Sequence, residues 1–329
     1  MAVPQFSMAV PQFSPIPPTQ TLTMRSQPNS PPNSPPLGAQ RDWIWRGYQI
    51  RYTYIRSPQA KGNAIPLIFL HGFGSSLGQW RFNLRPISEY HTIYALDFLG
   101  FGASEKASAN YRVSLWAELV YDFWRSFIAK PAVVIGHSLG ALIALNTVAT
   151  YPQMAQGLVM LTLPDPQPRQ PPAWARAIEQ FFSSPLLLWP LFKIVRQPGL
   201  LRVVLRKIYQ NPDLVDDELV ELFAKPARDQ RALQVFYRLS LTRSDPEYSP
   251  ILKDLLPGLT LPILLLWGEA DRIVPFRSAR QLANLNSHIQ LVTIPDAGHV
   301  VYDESPEFVN QAIVDWVERV IESGGLPLN

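Results

Sequence analysis

Gly136-His137-Ser138-Leu139-Gly140 sets a serine between two near glycines, directly after the apolar run AVVI and directly before the helical stretch ALIALNTVAT. A strand turning sharply into a helix puts that serine on a tight elbow, because side chains at Gly136 and Gly140 would collide with neighbouring backbone. The turn lifts the hydroxyl above the sheet, beside a helix N-terminus where developing negative charge is favoured. A serine hydroxyl is a weak nucleophile until a base takes its proton. The template for such an elbow asks for an acid and then a histidine further along the chain. His299, in IPDAGHVVYDESP, is the one histidine after the last apolar strand run and is the expected base. Asp271, in LLLWGEADRIVP, is the acid expected to orient it. Glu269 in the same loop is the reserve, and Asp296 is too near His299 in sequence to orient it easily.

Attack on an acyl carbon also needs two backbone N–H donors for the oxyanion. Leu139 follows the nucleophile and supplies one. The other is expected from Phe73 in His71-Gly72-Phe73-Gly74, where glycines let the backbone approach the carbonyl site. His71 and His137 read as hydrogen-bonding residues of their own loops, and His91 and His288 as plain loop or surface residues. Asp97–Ser104 carries a Gly-x-Gly after a strand but lacks the third glycine of a dinucleotide site, so it reads as a turn near the site. No His/Asp/Glu cluster has metal spacing, and an activated serine needs neither metal nor cofactor. The chain has no cysteine, which excludes disulfides, a cysteine nucleophile and thiolate metal sites.

Residues so far apart converge only on a scaffold of buried strands. Trp43–Ile55 alternates around Gly47 as two edge-type strands joined by a turn. Ile65–Leu70, Ile93–Leu96, Ala132–Ile135, Gly157–Thr162, Ile263–Trp267 and Ile289–Ile294 are short apolar runs. Helical patterns at Ser114–Ala129, Ser278–Leu285 and Glu307–Ile321 alternate with them. That alternation predicts a mainly parallel sheet covered by helices. It breaks between Pro164 and Leu259, a proline-punctuated helical region that reads as a lid over the carboxyl ends of the strands.

The expected organisation is therefore a lead at 1–40, a core at 41–163 and 260–325, and a helical cap at 164–259. The lead repeats MAVPQFS at Met1–Ser7 and Met8–Ser14, then becomes rich in Pro, Ser, Gln and Asn with Arg25 as its only charge, a composition that predicts disorder. Net charge is +3, from 29 basic against 26 acidic side chains, too small a bias for a nucleic-acid partner. No run reaches roughly 18 charge-free apolar residues, so a spanning helix is not expected. Within the cap, Phe181–Phe192 is strongly apolar, and Leu200–Tyr209 sets aliphatic residues against Arg202, Arg206 and Lys207. Two cap helices packed on the core account for that pattern. A lid that receives a greasy substrate and touches a membrane surface accounts for it as well.

The blocks IFLHGFGSSLGQWRFNL, YALDFLGFGASEK, VVIGHSLGALIAL, LLLWGEADRIVP and IPDAGHVVYDESPEFVNQAIVDWV resemble the α/β-hydrolase superfamily over nearly all of Trp43–Ile321. The resemblance implies an α/β fold with an eight-stranded mainly parallel sheet, an inserted helical cap and the triad Ser138, Asp271 and His299. Dehalogenases and epoxide hydrolases of that superfamily use an aspartate nucleophile, and Ser138 argues against both. WIWRGYQIRYTYI and LLRVVLRKIYQNPDLVDDELVELFAKPARD are similar to a cyanobacterial and chloroplast branch that includes pheophytinase and chlorophyll dephytylase. That similarity implies hydrolysis of the phytyl ester of chlorophyll or pheophytin, in the cytoplasm or at the thylakoid surface. A general ester or C–C bond hydrolase with the same triad, and a non-catalytic binding protein on this fold, are the alternatives.

Overall fold

Eight strands form one sheet in the order β1-β2-β4-β3-β5-β6-β7-β8. The computed structural model describes residues 37–58, 65–164, 196–243 and 247–319. The repeated lead at 1–36 and the apolar stretch Phe181–Phe192 lie outside them. Strands β1 (Ala39–Trp45) and β2 (Tyr48–Ile55) form an antiparallel hairpin, closed by Arg46 and Gly47, both at positive φ. A two-residue turn of that kind matches the natural twist of its strands. β1 begins four residues before the expected Trp43, so Ala39 and Gln40 belong to the sheet and not to the lead. The polar run Gln40-Arg41-Asp42 hid a strand whose first four residues are exposed.

The chain then alternates as expected. β3 (Leu67–Leu70) leads to α1 (Leu84–Ser88), β4 (Ile93–Leu96), α2 (Val113–Phe127), β5 (Ala132–His137), α3 (Leu139–Thr150) and β6 (Ala155–Leu161). Among the described residues, the helices α4 (Pro198–Ile208), α5 (Asp217–Ala227), α6 (Ala232–Arg243) and α7 (Leu252–Leu255) follow. β7 (Ile263–Gly268), α8 (Arg277–Ala283), β8 (Ile289–Ile294), α9 (Val301–Glu304) and α10 (Pro306–Val317) complete the described chain. From β4 onward every pairing across the sheet is parallel. β3, β5 and β7 are buried along their whole length, which explains their unbroken apolar sequences.

The pleat of the sheet separates two cores. Ile68 and Leu70 face one, built with α2 and α3; Leu67 and Phe69 face the other, built with α1 and α10. The helices between β6 and β7 serve both. Val235 and Leu239 of α6 join the first core, while Leu205 and Tyr209 at the end of α4, with Leu219 and Val220 of α5, join the second. The insertion thus straddles the sheet. His91, expected at the surface, is only 2% exposed, and burial pushes its pKa down to about 4. It lies on the turn entering β4, where the apolar strand that follows draws its polar neighbours inward.

Candidate active site

β5 ends at His137, and the next residue, Ser138, has φ +52° and ψ −117°. Such a backbone costs on the order of 1–3 kcal/mol for a residue with a side chain and persists only where its surroundings enforce it. The surroundings are closely packed here. A Cβ at Gly136 would lie 2.2 Å from the Gly140 carbonyl oxygen, and one at Gly140 would lie 2.3 Å from that of Leu70. Ser138 N–H is held by the Leu161 carbonyl at the end of β6 (3.0 Å), and α3 starts at once, with Ser138 as its N-cap.

His299 lies in the loop between β8 and α9. Its Nε2 is 3.2 Å from Ser138 Oγ, and its Nδ1 is 2.9 Å from Asp271 Oδ2. Asp271 lies just beyond β7, with its carboxylate wholly buried. Its second oxygen, Oδ1, accepts the backbone N–H groups of Ile273 (2.7 Å) and Val274 (2.9 Å), so the carboxylate has one orientation. The two loops meet because β7 ends in a glycine: a Cβ at Gly268 would lie 2.2 Å from the Gly298 carbonyl oxygen. The reserve acid points elsewhere. Glu269 accepts from Thr293 Oγ1 at 2.8 Å, and Asp296 is exposed.

The expected oxyanion donors also flank this point. Leu139 is the first residue of α3, so its N–H has no acceptor within the helix. In the loop after β3, Gly72 N–H is committed to Gln79 Oε1 (2.9 Å), and Phe73 N–H is the next donor along. The ring of Phe73 is half exposed and packs near Phe101 (5.6 Å) and Phe236 of α6 (6.5 Å). An aromatic contact therefore joins the oxyanion loop to the insertion.

Two further histidines hold the loops. His71 Nδ1–H donates to the Gly72 carbonyl (2.7 Å) while its Nε2 accepts Phe98 N–H (3.0 Å), tying the oxyanion loop to the turn after β4. Burial pushes its pKa down to about 4, so it stays neutral, as two opposite ring roles require. His137 Nε2–H donates to the His299 carbonyl (3.0 Å), and burial drives its pKa well down too. Asp97 accepts Leu77 N–H and Ala103 N–H, both at 2.6 Å, and burial pushes its carboxyl up to about 6. Lys106 Nζ binds the Gly102 and Ser104 carbonyls of the same turn (2.7 and 2.8 Å). The Gly-x-Gly segment is thus a braced turn beside the site.

Residues 67–312 match the profile of the Alpha/beta hydrolase family, most of the chain. The chain belongs to that family. This hydrolase is 26% identical over 275 residues to the uncharacterized hydrolase YugF of Bacillus subtilis, covering 83% of this chain and 95% of that protein. It is 24% identical to the (lyso)-N-acylphosphatidylethanolamine lipase of Bos taurus, covering 82% and 83%. The crystal structure of a membrane phospholipase A superposes with a TM-score of 0.68 at 25% identity, over 85% of the hydrolase and 86% of that chain. No described helix of the hydrolase is long and apolar enough to cross a membrane.

One cluster went unnoticed in the sequence. Arg81 Nε binds Asp303 Oδ1 (3.0 Å) and its Nη1 binds Asp216 Oδ2 (2.9 Å), while Tyr209 O–H donates to Asp303 Oδ2 (2.7 Å). The acidic pair Asp303-Glu304 in an otherwise apolar stretch after His299 was the available signal. Its partners lie too far along the chain to be read.

Proposed function

We propose that the protein is a serine ester hydrolase acting on a large apolar ester. The continuous hydrogen-bond chain Ser138–His299–Asp271 carries this reading. Ser138 Oγ attacks the ester carbonyl as His299 Nε2 takes its proton. The Asp271 carboxylate stabilises the imidazolium, and Phe73 and Leu139 N–H groups receive the oxyanion. His299 then protonates the departing alcohol. The acyl group is left on Ser138, and a water deprotonated by His299 releases it as the acid.

The helices inserted between β6 and β7 act as a cap over this chemistry. Phe73 and Phe101 of the core, with Phe236 of α6, form an aromatic wall between core and cap suited to a bulky hydrocarbon. The outer face of α4 exposes Val203 and Val204 beside Arg206 and Lys207, a combination suited to an anionic membrane surface that holds such esters. Sequence resemblance makes the phytyl ester of chlorophyll or pheophytin the named substrate. The relatives that act on lipids favour a long-chain lipid ester as the second reading.

Wild type and Ser138→Ala are to be incubated with detergent-solubilised pheophytin a, chlorophyll a and a long-chain phospholipid. Phytol, dephytylated pigment and free fatty acid are then quantified by chromatography. Phytol release by the wild type alone is the expected result. Fatty acid without phytol would move the assignment to lipid esters, and equal release by both proteins would overturn the role of Ser138.

A further inference from the structure

Glu304 closes α9, five residues beyond His299, and takes no part in the steps above. Its Oε1 accepts the N–H of Gly298, the residue immediately before His299, at 3.0 Å. Its Oε2 accepts N–H groups of the insertion, from Gln210 at 2.7 Å and Asn211 at 3.4 Å. One carboxylate thus bridges the loop carrying the base and the segment that follows α4. The two backbones also touch directly: a Cβ at Gly298 would lie 3.2 Å from Gln210 N and 3.3 Å from the Ile208 carbonyl oxygen. On the other flank, the carbonyl of His299 is held by His137. The backbone on either side of His299 is therefore held, after it by His137 of the elbow and before it by Glu304, which also grips the insertion.

We infer that Glu304 is a positioning residue for the general base, holding the loop at Gly298 so that His299 stays aligned with Ser138. The inference rests on the serine-hydrolase reading. A gap of 3.2 Å between Nε2 and Oγ leaves little slack for proton transfer, and a displacement near 1 Å remote from the chemistry can cost about a hundredfold in rate. The same contacts could instead merely fasten the insertion, with no bearing on the base. Tyr209 separates the two roles, since its hydroxyl fastens the insertion to Asp303 without touching Gly298 N–H.

The test compares the full-length wild type, Glu304→Ala, Glu304→Gln and Tyr209→Phe. Its readouts are the rate at which a fluorophosphonate labels Ser138 across a pH series, and thermal melting. Labelling of Glu304→Ala is expected to slow by roughly ten- to a hundredfold. The slowing should hold across the whole pH series, because the defect is one of geometry at Gly298 and not of charge. Glu304→Gln should fall between, since its amide oxygen still serves Gly298 while its NH2 confronts Gln210 N–H. Should the alanine variant fail to fold, the glutamine variant carries the test alone. Tyr209→Phe should lose melting temperature yet label within about twofold of wild type. Wild-type labelling rates in the Glu304 variants would overturn the inference, as would equal slowing in Tyr209→Phe. A wild-type chain not labelled at Ser138 would instead overturn the hydrolase reading beneath it.

Discussion

Replacing Asp271 by asparagine leaves the shape of the site intact while reversing the direction of its hydrogen bonds. Asp271 Oδ1 receives two backbone N–H groups, and neither can face an amide NH2. Flipping the amide would set two part-buried backbone donors against an NH2, at about 1 kcal/mol each. The asparagine oxygen is therefore held in place, and its NH2 must point at His299 Nδ1. The ring can then meet it only by accepting at Nδ1 and carrying its proton on Nε2, which faces Ser138 Oγ. A ring in that tautomer cannot accept the serine proton, and no carboxylate remains to stabilise an imidazolium. Triads disabled this way lose on the order of 10⁴ in rate, about 5–6 kcal/mol of transition-state stabilisation. Fluorophosphonate labelling and p-nitrophenyl ester hydrolysis would both report the loss, and thermal melting would confirm an intact fold. A folded Asp271→Asn retaining more than about a tenth of wild-type activity would show that another group sets the tautomer.

Arg206→Ala with Lys207→Ala should weaken binding to anionic vesicles by roughly thirtyfold while sparing neutral ones, as two surface charges warrant; equal binding in a sedimentation assay would remove α4 from the membrane contact. Acid should destabilise the fold through its buried histidines. His71 and His91 have folded pKa values near 4, below the ordinary 6.5, so the unfolded chain binds more protons between these limits. Their contribution is complete above pH 6.5 and is lost as pH falls towards 4. Asp97 and Glu304, with raised values, work in the opposite sense. Replacing His91 by leucine should remove about 2 kcal/mol of that acid loss, read from urea unfolding at pH 7 and pH 4.5; an unchanged difference between the two pH values would refute it.

What the sequence disclosed was what short stretches encode. The elbow is written in five consecutive residues and the strands in apolar runs, so Ser138 and the order of the core were legible. Asp271 is the expected acid with Glu269 in reserve, although both carboxylates occupy one short loop. Thr293 engages one and the amides of Ile273 and Val274 orient the other, and only the fold brings those partners in. His91 sits among polar neighbours in Ser88–Thr92, and nothing local marks it as buried. Glu304 depends on a contact with Gln210, 94 residues away, a separation across which no sequence pattern reaches.

The grip of Glu304 is on main-chain amides, at Gly298, Gln210 and Asn211 alike. A fastening of that kind does not read side chains, so it tolerates any residue but proline at positions 210 and 211. Among the described residues, Tyr209, Asp216 and Glu218 are engaged through their own functional groups by the Arg81–Asp303 cluster. The rest of the insertion is thereby free to diversify while this anchorage stays the same. A different helical insertion could be grafted onto this core by matching one backbone turn and a few side chains, leaving the loop of His299 as it is.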